Sequence, residues 1–138
     1  MKKIALFFLI VCCFYLAGCS KDAEVNAFVT DFESTTAEMA QKIDASPSAA
    51  GIDEAQNAFT ARKAALKTKW DAIKDAAKFQ VSADTQKRLD EGVQKSMKNL
   101  TDATTKNAVK LAMDKDAMPK LKALMEDLKN TISMPGSK

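Results

Sequence analysis

Chemistry in this 138-residue chain has to come from lysines, carboxylates, hydroxyls, methionines and three cysteines, because it holds no histidine. That removes the usual general base near neutral pH and the commonest ligand of zinc and haem. Ser-His-Asp and Cys-His nucleophile arrangements go with it. Cys12 and Cys13 lie in an uncharged N-terminal run that Cys19 closes, so no set of thiolates is spaced to hold zinc or an iron–sulfur cluster. Thioethers bind Cu(I), and Met39, Met97, Met113, Met118, Met125 and Met134 follow the run. A copper carrier groups such residues within a few positions. Here Met39, Met97 and Met125 fall on apolar stripes, where methionine fills a core.

The carboxylates arrange no reaction either. Asp114-Lys115-Asp116 opens like a calcium loop but lacks the later glycine and terminal glutamate. A helix-breaking turn with a cap accounts for it. Asp90-Glu91 and Glu126-Asp127 are sequence neighbours, so on a helix they point about 100° apart and do not face one another. No glycine-rich phosphate cradle exists. Thr104 and Asn107, near the inward face of a predicted helix, could line a small-ligand pocket or bond the backbone. Trp70 and Phe79 are the large aromatics of the middle of the chain, and Trp70 at helical spacing reads as core. Asn99-Leu100-Thr101 matches a glycosylation acceptor, but Leu100 belongs to a buried stripe. No cofactor and no metal are expected, and no enzyme activity.

Lys2 and Lys3 precede fourteen uncharged residues, Ile4 to Ala17, and Gly18 and Cys19 follow. This charge, apolar run and small-residue end form a secretory signal layout. The run is shorter than the ~20 residues that span a bilayer as a helix. It ends Leu16-Ala17-Gly18-Cys19, which resembles the lipobox of bacterial lipoproteins at all four positions. The resemblance implies cleavage before Cys19, a diacylglycerol thioether on its sulfur and usually an N-acyl chain. One acyl chain holds a protein marginally, whereas two or three give lasting attachment. Ser20 stands where an aspartate retains many lipoproteins at the inner membrane, which implies an outer-membrane address facing the periplasm.

Residues 1–18 are then the cleaved signal, 19–21 the lipidated terminus and tether, 22–133 a domain and 134–138 a tail. The 120 residues left suffice for one domain. Cys19 is their one cysteine, so no disulfide forms within the chain and stability must come from an apolar core. Lys2 and Lys3 leave with the signal, and 19 basic residues then face 18 acidic ones, a balance of +1. The sign is uneven. Residues 19–58 hold two lysines against eight acids, and residues 59–138 hold 17 basic against ten acidic residues. An acidic first helix packed beside basic neighbours explains this. Nucleic acid is not an expected partner, because the basic half lacks interleaved aromatics.

Scarce glycine and proline, with abundant alanine, lysine and leucine, suit helices. Lys21 to Asp44 reads as helix one, with Val25, Phe28, Val29, Phe32, Thr36, Met39 and Ile43 on one face. Ala45 to Gly51 reads as a loop, and Asp53 as the N-cap of helix two with Gln56 three residues on. Helix two, Glu54 to Lys78, carries Ile52, Ala55, Phe59, Leu66, Trp70, Ile73 and Ala77. Ser82 starts helix three, which runs from Ala83 to Met113 with Leu89, Val93, Met97, Leu100, Thr104, Ala108 and Leu111 on its stripe. Gly92 and Ser96 beside that stripe allow a close helix approach. Pro119 suits a first turn, so a short helix four starts near Asp116 with Leu121, Leu124, Met125, Leu128 and Ile132.

The fold expected is all-α, an antiparallel bundle of three long helices plus a short fourth; the alternative joins the last two into one kinked rod. Function follows from a strong tether beside a nearly empty catalytic inventory. The expectation is a lipid-anchored envelope lipoprotein that acts as a non-enzymatic interaction or structural module. Its partners would be the membrane, through Cys19, and an envelope protein whose identity, like the oligomeric state, the sequence leaves open. The alternative is a carrier holding a small apolar ligand between its helices.

Overall fold

The computed structural model describes residues 20–75 and 80–132. All the regular structure among them is helical: α1 (Asp22–Ala45), α2 (Ala49–Ile73), α3 (Ala83–Lys106), α4 (Ala108–Met113) and α5 (Ala117–Thr131). The chain is an all-α bundle. The signal, Cys19, Ala77, Phe79, Met134 and the tail lie outside the described residues.

Helix α1 is the middle of the molecule. It packs along its length on α2 and on α3, while α5 packs on α2. Its apolar residues recur every three or four positions, and Val25, Phe28, Val29, Phe32, Met39 and Ile43 are fully buried. The two threonines on that face, Thr35 and Thr36, are buried without an orphaned hydroxyl. Thr35 Oγ1 donates to the Asp31 carbonyl at 2.7 Å and Thr36 Oγ1 to the Phe32 carbonyl at 2.9 Å. From α2, Ile52, Ala55, Phe59, Leu66, Trp70 and Ile73 join the core, as the spacing predicts, and α3 and α5 add Leu89, Val93, Leu100, Leu124 and Leu128. Trp70 lies with its ring centroid 5.3 Å from that of Phe28.

Successive long helices alternate in direction, but α1 and α3 lie side by side in parallel. At one end Lys21 N donates to the Gln80 carbonyl at 2.9 Å, and Asp22 Oδ1 accepts from Ser82 N at 2.8 Å. At the other end Asn107 Nδ2 donates to Asp44 Oδ1 at 2.7 Å. Between them Gly92 admits α1 closely: a Cβ there would stand 2.4 Å from Val29 Cγ1. The small residues beside the α3 stripe serve the contact expected of them.

Three expectations are corrected. Helix α2 begins at Ala49, not Glu54, and ends at Ile73 in a turn at Lys74 and Asp75, short of Lys78; Asp53 is inside it rather than capping it. The chain doubles back so tightly after α1 that a Cβ on Gly51 would lie 1.8 Å from the Ser46 carbonyl oxygen. Glycine therefore serves a close approach within the first turn rather than ending a loop. Helix three stops at Lys106. Asn107, buried, turns its carboxamide back to the Ala103 carbonyl at 2.9 Å while also bonding Asp44, and the backbone bends into the six-residue α4. Ala108 consequently faces solvent. Among the described residues there are thus five helices rather than four, and the single kinked rod is excluded. Pro119 sits in the first turn of α5, where no intrahelical N–H is required of it.

Candidate functional site

The one site residue that the sequence singles out, Cys19, lies outside the described residues, but the chain that follows it does not float. Ser20 Oγ accepts from Asp22 N at 3.3 Å. The Asp22 carboxylate accepts from the amide and hydroxyl of Ser82, the residue that caps α3 by accepting from Thr85 N at 3.2 Å. The Ser20 hydroxyl, then the Ser82 amide and Thr85 hydroxyl, hold the Asp22 carboxyl down from its ordinary 3.8 to about 2. Lys21 adds an ion pair to Glu24 at 2.7 Å. The first helical residue therefore comes three positions after Cys19, already bonded to a second helix.

At the opposite end Asp114 has a comparable part. Its Oδ2 accepts from Ala49 N at 2.7 Å, 65 residues away in sequence, and its Oδ1 accepts from Asp116 N at 3.1 Å. One carboxylate caps α2 and closes the turn into α5, and those amides, Ala49 first, lower its pKa. The Asp-Lys-Asp run is a cap, and the calcium-like reading is not needed for it. Among the described residues no three carboxylates converge.

The remaining candidates fall as follows. Met39 is core, Met97 and Met125 are half-buried, and Met113 and Met118 are exposed on the α4–α5 corner. Thr104 is half-buried and donates to the Thr101 carbonyl, so it and Asn107 close on backbone rather than on a shared cavity. Asp127 takes Lys63 and Gln56 of α2, with Lys63 lowering its pKa; Glu126 beside it is exposed. Among the described residues two buried polar atoms make no hydrogen bond, Trp70 Nε1 and Ser96 Oγ.

The uneven charge is used in the contacts of α1. Glu33 forms a two-bonded pair with Arg88 of α3, at 2.9 and 2.6 Å. Glu38 meets Arg62 at 2.9 Å, Asp31 meets Lys69, and Asp44 lies 3.4 Å from Lys106. The Arg88 guanidinium holds the Glu33 carboxyl below its usual range. Acidic α1 is laid between helices that supply these four cations.

Open grooves run beside α1. One, about 420 Å³, lies between α1 and α3 over Ala37, Ala40, Gln41, Asn99 and Asp102. Another, about 260 Å³, is lined by Ala27, Ala72 and the stems of Glu24 and Lys69. Neither reaches the phenylalanines of the core. No described helix is long and apolar enough to cross a membrane.

Comparison with protein-family models, curated proteins and solved structures found no match.

Proposed function

We propose that the chain is a lipid-anchored envelope protein, held through Cys19 and acting without catalysis as an interaction or structural module. The anchor rests on Leu16-Ala17-Gly18-Cys19 at the end of a signal-like run. The observation that carries the module reading is the short, bonded junction after Cys19. With the Lys21 amide on Gln80 and the Asp22 carboxylate on Ser82, the cap of α3, an acyl tether would leave a single residue, Ser20, itself bonded to Asp22 N, between lipid and bundle. The bundle would ride directly at the bilayer. Ser20 in place of aspartate favours the outer membrane and its periplasmic face. A carrier would need an internal space, whereas Phe28, Phe32, Phe59, Leu100 and Leu124 fill the core side by side; the anchored module is therefore preferred.

The test is the Cys19→Ser variant expressed with its N-terminal run in a Gram-negative host. The expected result is a precursor that keeps the run and takes up no labelled fatty acid, while the unaltered chain loses 18 residues and gains acyl mass. A variant that matures and is acylated normally overturns the anchor. Turnover of an envelope substrate by the purified bundle would overturn the non-catalytic part.

A further inference from the structure

The large apolar side chains most exposed among the described residues lie together on one corner. Val109 is 75%, Met113 84% and Met118 51% exposed. Val109 and Met113 are four apart on α4 and so share a face. Met118 is in the first turn of α5, across a three-residue turn. The cations around them are free: Lys110, Lys115 and Lys122 are exposed and make no ion pair among the described residues, whereas Lys106 and Lys120 are held by Asp44 and Asp53. Of the local acids, Asp114 is turned onto backbone amides of the α2 start and the α5 turn, while Asp116 and Glu126 are exposed.

We infer that the α4–α5 corner is a second membrane-contact surface, docking on a bilayer rich in anionic lipid. Met113, Val109 and Met118 would enter the headgroup boundary, and Lys110, Lys115 and Lys122 would lie over the phosphates. An apolar wedge ringed by cations is the chemistry that interfacial binding rewards. A protein partner is the poorer fit: methionine is common in protein interfaces, but lysine is depleted there, and every cation of residues 108–131 is a lysine. Lysine, a mobile point charge, suits a fluid array of phosphates. This contact is separate from the tether. It sits at the far end of α1 from Ser20, about 36 Å along a helix of 24 residues.

The experiment uses residues 20–138, which retain every core side chain described and carry no lipid, so its outcome is independent of acylation at Cys19. Sedimentation with phosphatidylglycerol vesicles is compared with phosphatidylcholine vesicles over a salt series. Binding is expected to the anionic vesicles only, to weaken as salt rises, and to fall about fivefold for each of Lys110, Lys115 and Lys122 changed to Glu. Val109→Asp with Met113→Asp should abolish it with an unchanged far-UV spectrum, since both side chains are exposed. Lys95→Glu, on the exposed face of α3, should leave it intact. Equal binding to both vesicles, no binding, or insensitivity to the corner variants overturns the inference. Binding to polyglutamate with vesicles ignored overturns it in favour of an acidic protein. None of these outcomes bears on the anchor, which the Cys19→Ser chain tests by itself.

Discussion

At the residue scale the polar side chains that matter are those whose partners are remote in sequence. Asp114 is the clearest. Its amide partners at Ala49 and Asp116 bond the ionised carboxylate, so its folded pKa is lowered. Stabilisation is then full above the ordinary carboxylate range and is lost as pH falls through it. Asp22 follows the same sign, with its loss falling between the ordinary 3.8 and about 2. Asp114→Ala should therefore lower the urea midpoint at neutral pH, and the gap between variant and parent should close below about pH 4 as the parent's carboxyl protonates. A gap constant across pH would remove Asp114 from the account. Ser96 makes the opposite case. Its hydroxyl is buried and makes no hydrogen bond, and serine is a weaker helix former than alanine. Ser96→Ala should raise stability by ~1 kcal/mol, read from chemical denaturation; a loss would mean that the hydroxyl has a partner.

At the element scale the packing of α1 against α3 depends on what is missing at Gly92. A side chain there meets Val29 Cγ1, which belongs to a β-branched residue with little rotamer freedom and is itself fully buried. Gly92→Leu should gain ~1 kcal/mol of helix propensity yet lose more by overpacking, for a net cost of ~1–2 kcal/mol by denaturant titration. Elements are also where the sequence is most and least legible. The stripes of α1 and α2 can be read directly, because a period near 3.6 needs no knowledge of the partner helix. Ser82 is legible too, since its capping bond to Thr85 is local. The start of α2 is not. Asp53 has the right residue type for a cap, but Ala49 is capped by Asp114, and nothing local to Ala49 announces a side chain 65 positions away. The break at Asn107 is hidden for the same reason: it is held in part by Asp44, and neither glycine nor proline marks it.

At the scale of the whole molecule, connection lengths predict that successive helices reverse, and they do. They do not reveal that α1 lies between α2 and α3, with α3 parallel to it; that arrangement depends on which faces interlock, chiefly Gly92 on Val29 and Glu33 on Arg88. The uneven charge is resolved at this scale as well, because Asp31, Glu33, Glu38 and Asp44 of α1 find their cations on the two helices that enclose it. The anchor is legible only as a motif, Leu16 to Cys19, and the exposed corner hardly at all. Val109 and Met113 become conspicuous once the helix has broken at Asn107 and turned them outward.

The central place of α1 has a mechanical consequence. A pull on Ser20 along the bundle axis cannot peel the molecule open one bond at a time. It must slide the innermost helix past α2 and α3 together, so that five interhelical ion pairs and the whole buried stripe from Val25 to Ile43 resist the load in unison. Whatever grips the front of this chain grips it by the helix that both its long neighbours enclose.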